Sequence, residues 1–464
     1  MQLSHTQRAV SASFDDPNLV SSAGLVPVMM LASKTGLGQL AGERLTVPGH
    51  LGANAGLKVT ALVAGMVAGA DSIDDMALLR HGGLPKLFTG AYAPSTLGSF
   101  LREFAFGHVR QLDAVAARWL HNVAAQTPLL NGINEVALVD IDDTIKEVHG
   151  YQKQGSGYGY SGVRGLNALI GTVTTGEAAP VIVGSRLRKG ACGSPRGAGK
   201  FVADILATVT RLRIQNPSGK VLLRADSAFY SHTVVTAAVR AHADVSITAR
   251  MDPNVKRAIQ TIDESAWTSI EYTDAIRDEE TGRWVSTAEV AEVPFTAFTS
   301  RKKTDQVVGR LVVRRIPELN KNAADGQGTL FDTHRFHAFF TTSTLDTITA
   351  DKTHRRHAII EQVHADLKNS ALAHLPSGKF TANAAWLVLA TIAFNLTRAA
   401  GTLTGSILAK ATTGTIRRKL IGLPARISSS ARRITLHLPK NWPWERQWTT
   451  LFTSTSGPPT SSTI

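Results

Sequence analysis

An apolar run that leads directly into acidic residues is the most informative pattern in this chain. Residues Val136–Val139 are apolar, and Asp140, Asp142 and Asp143 follow them. A short apolar run with β-branched residues is typical of a buried strand. Successive side chains of a strand point to opposite faces, so Asp140 and Asp142 are expected on one face and Asp143 on the other.

The same pattern occurs again at Val221–Asp226, where an apolar run passes through Arg224 and ends in acid. Hydrophobic periodicity and turn residues divide the surrounding chain into alternating strands and helices. The predicted elements of this part are a hairpin at Gly155–Gly165, strands at Leu166–Thr174, Val221–Asp226 and Asp244–Ala249, and helices at Phe201–Arg213 and Thr233–His242.

Helical patterns dominate both sides of this region. Residues 1–125 read as mostly helical, with an apolar, alanine-rich helix at Leu57–Ala70. A helix is also predicted at Lys352–Ser370, and a long apolar helix at Thr381–Arg398 is expected to form a buried wall of the core. Between these helical parts, apolar or alternating segments predict strands at Trp284–Val293, Val307–Arg315 and Phe336–Thr342.

Acidic residues at the ends of buried strands suggest a cation site. Carboxylates that lie close together repel each other unless a cation lies between them. Carboxylate oxygens suit Mg²⁺ or Mn²⁺. The alternative for Asp140–Asp143 is a strand end with solvated acids. On the predicted helix, Glu361 and Lys368 are two turns apart and therefore share a face.

These blocks together resemble the DDE transposases of bacterial insertion sequences. Asp142–Thr144 is similar to the first-aspartate motif, and Arg224–Ser227 is similar to the second. Glu361 with Lys368 resembles the third motif, the Tyr-x2-Arg-x3-Glu-x6-Lys signature of the cut-and-paste group. The insertion-sequence family numbered thirteen-eighty is the group whose blocks this chain resembles, from about Leu19 to Phe452.

The resemblance implies an α/β fold with an RNase H-like catalytic core, a β-rich insertion and an N-terminal helical domain. The strand-strand-strand-helix-strand-helix-strand order predicted above agrees with that core. The expected divisions are a helical DNA-end-binding domain at 1–125, the first part of the core at 135–250, the β-rich insertion at 251–346, the second part of the core at 347–408 and a basic C-terminal tail at 409–464.

The resemblance also implies the site and its partners. Asp142, Asp226 and Glu361 would hold two Mg²⁺ or Mn²⁺ ions, and Lys368 would contact a phosphate. The family acts on double-stranded DNA, both transposon ends and target, as a homodimer in the synaptic complex. The expected function is binding of the terminal inverted repeats, followed by strand cleavage and strand transfer.

The third motif departs from the family pattern. The positions seven and four residues before Glu361 hold His354 and His357 instead of Tyr and Arg, and Arg356 stands beside them. We expect these three residues to contact phosphate. A zinc site on this helix is a second hypothesis, although only His357 and Glu361 have the usual i, i+4 spacing. Trp284 in the insertion could stack on a flipped base, with burial in the core as the alternative.

Composition narrows the function further. The 464-residue chain carries a formal net charge of +14, which favours a polyanionic partner such as nucleic acid. Its single cysteine excludes an intrachain disulfide and a cysteine-cluster zinc site. The N-terminal residues lack an apolar signal core, so we expect a cytoplasmic, nucleoid-associated protein without a membrane partner.

Two other functions fit the same sequence. One is an RNase H-like nuclease or resolvase that cuts DNA without strand transfer. The other is a catalytically inactive DNA-binding repressor derived from a transposase, which is disfavoured because all three acids are present. The basic segment Lys410–Arg446, which is followed by Trp448, suits a nucleic-acid contact, with a packed strand pair as the alternative.

Overall fold

A computed structural model describes most of the chain. The described residues are 1, 4, 9–149, 152–213, 219–277, 284–317, 334–405, 407–431 and 433–456, and for 272–277, 284–287 and 317 only the backbone is described.

The α-helices cover the N-terminal quarter, flank the sheet and return near the C-terminus. Their bounds are α1 Leu25–Lys34, α2 Leu37–Arg44, α3 Gly49–Gly52, α4 Ala55–Ala68, α5 Leu84–Leu87, α6 Pro94–Arg102, α7 Phe106–Gln126, α8 Ala198–Leu212, α9 His232–Arg240, α10 Pro253–Gln260, α11 Thr347–Arg355, α12 Ile359–Lys368, α13 Phe380–Leu403, α14 Thr413–Ile416 and α15 Glu445–Thr455.

The β-strands lie mainly in the middle of the chain. Their bounds are β1 Leu19–Val20, β2 Val136–Glu147, β3 Gly157–Tyr158, β4 Arg164–Thr174, β5 Val181–Lys189, β6 Lys220–Ala225, β7 Asp244–Thr248, β8 Thr268–Arg277, β9 Trp284–Ala297, β10 Val307–Pro317, β11 His334–Thr341, β12 Ala425–Ser430 and β13 Arg433–His437.

One large mixed sheet organises the molecule. Its order is β5-β4-β2-β6-β7-β11-β10-β9-β8, and β3 pairs with the first residues of β4. β5, β4 and β2 are antiparallel neighbours, β2, β6 and β7 are parallel, and β7 through β8 are antiparallel again. The fold is therefore α/β, as predicted from the alternation of strands and helices.

The predicted strand at Val136 continues past its acids. β2 runs to Glu147, so Asp142 and Asp143 lie within the strand rather than at its end. β2 pairs with β6 only as far as Asp140 opposite Arg224, and from there on it keeps its pairing with β4. Asp142 has no strand neighbour on the β6 side because β6 ends, not because β2 does.

Residues 251–346 contain the predicted strands. β9, β10 and β11 cover the three alternating segments, and β8 precedes them. β11 pairs with β7 through Phe339 and Phe340 opposite Thr248 and Ile247. These strands therefore extend the central sheet by edge-to-edge pairing and share its core.

The apolar helix predicted at Thr381–Arg398 is α13, and it is the central helix of the core. It packs against α4, α6, α7 and β5. Its length and hydropathy would suit a membrane span, but 89% of an apolar 18-residue stretch of this helix is buried inside the protein. Asn395 accepts a hydrogen bond from the backbone N–H of Ile182 and donates one to its carbonyl, which joins the helix to β5. The helices of residues 25–126 thus share one hydrophobic core with the sheet.

The basic C-terminal segment is folded rather than extended. β12 pairs with β13 and with β1 near the N-terminus. α15 packs against α1 and α13, and its Trp448 and Leu451 are buried. The packed strand pair, one of the two hypotheses for this segment, is what the structure contains, because its apolar residues have a core to join.

The helix predicted at Lys352–Ser370 is divided. A 3₁₀ turn at Arg356–Ala358 separates α11 from α12. His357 therefore lies in the 3₁₀ turn and Glu361 lies in α12, so their i, i+4 spacing does not fall within one continuous α-helix.

Candidate active site

Two of the three predicted acids lie side by side at the open end of the β2–β6 pair. Asp140 on β2 and Arg224 on β6 are register partners. Asp142 lies two residues after Asp140, and Asp226 lies two residues after Arg224. Adjacent strands are about 4.8 Å apart, so the two carboxylates extend from neighbouring backbone positions. The parallel register, which the sequence did not reveal, brings the two motifs together.

The pKa of Asp142 reflects both its burial and the carboxylates around it. Burial raises the pKa of Asp142 to about 7. The backbone N–H of Asp143, 2.7 Å from Oδ1 of Asp142, opposes that increase. The carboxylates of Asp226, Asp143 and Glu361 add to it. Burial and the neighbouring carboxylates therefore disfavour the ionised form of Asp142 when no cation is present.

Asp226 is held by the turn that follows β6. Its side chain accepts a hydrogen bond from the backbone N–H of Ala228 at 3.0 Å and so caps the 3₁₀ turn Ser227–Phe229. Burial raises the pKa of Asp226, and its hydrogen bond to Ala228 opposes the increase. This cap fixes the direction of the carboxylate.

Glu361 approaches from α12, which packs against β2. Its side chain is exposed, and its charge raises the pKa of Asp142. Burial lowers the pKa of Lys368, Lys146 acts in the same direction, and Asp142 opposes them. Both Glu361 and Lys368 thus act electrostatically at Asp142, in agreement with their position on one helix face.

The two histidines near α12 have different environments. His354 is buried and stacks on Phe339 with ring centroids 4.1 Å apart. Its ring nitrogens are hydrogen-bonded to the hydroxyls of Ser246 at 2.9 Å and Thr248 at 3.1 Å. Burial lowers the pKa of His354 well below its usual range. A neutral, enclosed imidazole belongs to the core and does not face a phosphate.

His357 lies within electrostatic range of Asp226, and Arg356 lies at the surface. Nδ1 of His357 is 3.0 Å from the carbonyl of His354, and the His357 charge lowers the pKa of Asp226 against the effect of burial. Arg356 is exposed. Trp284 lies at the start of β9, but its side chain is outside the described residues.

Sequence reasoning missed two buried ion pairs beside the site. The guanidinium of Arg224 binds both carboxylate oxygens of Asp140 at 2.7 Å each. On the opposite face, Asp143 pairs with Arg188. Asp140 precedes Asp142 by two residues, and Arg224 precedes Asp226 by two residues. This equal spacing could have predicted the first pair from the sequence. The second pair joins β2 to β5 across the intervening strand β4 and leaves no such signal.

Asp143 is further enclosed by polar groups. Asn167 donates to its Oδ2 at 2.9 Å, and the Ser194 hydroxyl donates to its Oδ1 at 3.2 Å. Arg188 also donates to the carbonyls of Ser194 and Arg196, and so it ties the loop before α8 to β2. Asp143 therefore serves the structure, while Asp142 beside it faces the cluster.

The donor set fits a divalent cation in its chemistry. Three carboxylates provide the hard oxygen ligands that Mg²⁺ and Mn²⁺ take in proteins. In the described part of the chain, no three His, Cys, Asp or Glu side chains are arranged to hold an ion as they stand.

Comparison with known protein families identifies the family of this chain. The sequence profile of the family described as Transposase DDE domain group 1 matches residues 3–455. The chain belongs to this family, and it is a DDE-type transposase, an enzyme of DNA cleavage, transposition and recombination. No curated protein sequence matches the chain.

Proposed function

We propose that this transposase cuts the ends of its own mobile element and joins them to target DNA with Asp142, Asp226 and Glu361. The observation that carries the proposal is the electrostatic coupling of the three acids. They come from β2, the turn after β6, and α12, and the charges of Asp226 and Glu361 both raise the pKa of Asp142. Such a strongly perturbed cluster is typical of a functional site.

The fold around the acids supports an RNase H-like core. The strand order β5-β4-β2-β6-β7 has three antiparallel strands followed by two parallel ones. α8 and α9 are the helical connections on either side of β6, and α12 and α13 follow after the strands of residues 251–346. We propose that the residues between β7 and α11 are an insertion that holds flanking DNA.

The chemistry assigned to the acids is two-metal phosphoryl transfer. When bound, two Mg²⁺ or Mn²⁺ ions would activate a water or 3′-hydroxyl and stabilise the leaving oxygen. Asp142, Asp226 and Glu361 would hold them. Lys368 would contact a phosphate next to the acids, since its ammonium lies within electrostatic reach of Asp142.

Other residues would contribute to DNA contact. Arg356 is exposed and His357 is half-buried beside Asp226, so both can approach a backbone phosphate. His354 is not included because its ring is enclosed by protein. The role of Trp284 in base stacking stays a prediction.

The DNA partner would be bound over a wide surface. The net charge of +14 favours duplex DNA. We propose that the helices of residues 1–125 bind the terminal inverted repeats, and that two copies of the chain join two ends in one complex. This would place the protein at the nucleoid.

A cleavage assay tests the proposal. Duplexes carrying the inverted repeats that flank the gene are incubated with full-length protein in Mg²⁺, Mn²⁺, Ca²⁺ or EDTA. We expect cleavage with Mg²⁺ or Mn²⁺ and assembly alone with Ca²⁺. Full cleavage in EDTA contradicts the two-metal assignment.

Strand transfer separates the proposal from a nuclease or resolvase. A precut end is supplied with target DNA in Mg²⁺, and joined products are measured. Cleavage without joining identifies the nuclease, and end binding without either reaction identifies the repressor.

A further inference from the structure

The side chain of Arg224, which lies on β6, contacts two other segments of the chain at once. Its Nε and Nη2 donate to the two carboxylate oxygens of Asp140, each at 2.7 Å. Its Nη1 donates to the backbone carbonyl of Thr353, also at 2.7 Å. The Arg224 side chain is 1% exposed, and so is that of Asp140. The guanidinium is therefore a fixed internal connection.

The two contacted segments and β6 each lead to one of the three acids. Asp140 lies on β2 before Asp142, and Arg224 itself lies on β6 before Asp226. Two strand residues span about 7 Å, so each acid lies one short step from the guanidinium contact. Thr353 lies near the end of α11, which passes through one 3₁₀ turn into α12 and Glu361.

We propose that Arg224 is a positioning residue that sets the placement of Asp142, Asp226 and Glu361 relative to one another. The inference rests on the proposed function, because it assigns those acids to metal binding. A planar guanidinium can hold a carboxylate with two nitrogens while a third reaches a carbonyl in a fixed direction. A lysine ammonium is a point charge without this geometry.

Energetics favour a geometric role over simple stabilisation. A buried ion pair contributes little net stability compared with well-packed apolar residues, because both charges lose their hydration. The hydrogen bonds of the Arg224 guanidinium instead fix the positions of β2, β6 and α11 relative to one another. Groups of this kind behind metal ligands typically change metal affinity or activity by about 10–100-fold when they are altered.

The test is Arg224→Lys in the full chain, with Mn²⁺ binding followed by electron paramagnetic resonance. The Mn²⁺ that wild type binds and Glu361→Gln does not defines the site. We expect Arg224→Lys to weaken that binding by about 10–100-fold. Binding to duplex DNA should stay at the wild-type level, since the Arg224 side chain is buried and cannot contact a phosphate at the surface.

Arg315→Lys is the matched control. Arg315 is also buried and binds two carboxylates, Glu289 at 2.6 Å and Glu264 at 2.8 Å, but it lies on β10. It should lose stability in thermal unfolding, as Arg224→Lys does, and keep wild-type Mn²⁺ affinity. Equal weakening of Mn²⁺ binding in both variants would show a general loss of structure and overturn the inference.

A second variant covers the case in which Arg224→Lys does not fold. The double change Asp140→Asn with Arg224→Gln leaves a neutral hydrogen-bonding pair and no unpaired buried charge, but Gln is too short to reach Thr353. Wild-type Mn²⁺ affinity in a folded variant of either kind overturns the positioning role. Absence of any Glu361-dependent Mn²⁺ binding in the wild type instead refutes the proposed function.

Discussion

Two regions of the β2–β6 pair hold aspartates in opposite electrostatic states. In the paired region, Asp140 and Arg224 neutralise each other, with both carboxylate oxygens 2.7 Å from guanidinium nitrogens. In the open region, Asp142 and Asp226 are held by backbone N–H groups, and Glu361 adds a third carboxylate. Two residues along one strand thus separate a structural acid from a candidate metal ligand.

The difference comes from the partner strand, not from the acids. β6 ends after Ala225, so Arg224 can reach Asp140 while Asp226 takes the next position beside Asp142. Asp143, on the opposite face of β2, is neutralised by Arg188. An acidic motif therefore identifies a functional acid only when the residues that surround each carboxylate in space are known.

The largest effect should follow from removing a carboxylate of the open region. Glu361→Gln keeps the side-chain shape and removes the charge that would hold the metal. We expect DNA-end binding to persist and cleavage to fall at least about 10³-fold, equivalent to about 4 kcal/mol of barrier. Gel-shift and nicking assays on the same end duplex measure both.

Asp366→Asn is the control on the same helix. Asp366 faces away from the cluster and accepts hydrogen bonds from the backbone N–H of Thr413 at 2.8 Å and from its hydroxyl at 2.5 Å. This variant should stay active and lose about 1 kcal/mol of stability. If Glu361→Gln cleaves like wild type and Asp366→Asn is inactive, the third ligand is Asp366.

A second prediction compares stability between the two regions. Asp140→Asn leaves the buried Arg224 charge without its counter-charge, which should lower the free energy of unfolding by about 3–5 kcal/mol. Asp142→Asn removes one of several repelling carboxylates and should leave stability unchanged or raise it slightly in EDTA. Urea unfolding of both variants measures the difference, and equal losses would contradict the comparison.

A third prediction concerns pH. The folded pKa of Asp142 is about 7, above its ordinary 3.8. Between these two pH values, Asp142 is ionised in the unfolded chain and protonated in the folded chain. The metal-free protein should therefore lose stability as the pH rises from about 4 to about 7 and change little above that. Asp142→Asn should remove this part of the dependence.

The measurement is urea unfolding in EDTA at about pH 5 and about pH 8 for wild type and Asp142→Asn. The difference between the two proteins is the readout, because burial also raises the pKa of Asp226 and that of Asp113. Identical pH dependence of the two proteins would show that Asp142 ionises normally.

The smallest effect should come from the C-terminal basic residues. Arg433, Lys440 and Arg446 are exposed. Changing all three to Gln should lower the slope of log affinity against log salt by about 0.9 for each DNA phosphate that these side chains neutralise. Deleting the segment would be a poorer test because it also removes Trp448 and Leu451 from the core. An unchanged slope would mean that these residues do not touch DNA.

Local pattern predicted most of the elements correctly. The apolar runs at Val136 and Val221 are strands, and the alternating segments of residues 251–346 are strands too. The apolar helix α13 is the buried wall that its composition indicated. These predictions succeed because burial of an apolar face is encoded in the residues of the element itself.

Pairing between distant elements could not be predicted from local pattern. Residues 251–346 and residues 409–464 each contain a strand that pairs with a strand elsewhere in the protein, and neither pairing follows from the local pattern. His354 matched a phosphate-binding position by spacing and lies in the core instead. The spacing of residues within one segment does not show which other segments will pack against it or from which side.

The sequence by itself determined the α/β class, the basic charge and the three acids in their order along the chain. The tertiary structure alone decided which acids are neutralised, because that depends on where Arg224 and Arg188 are placed by strand register. Hydrophobic periodicity is a property of neighbours in sequence, while the charge state of a carboxylate depends on neighbours in space.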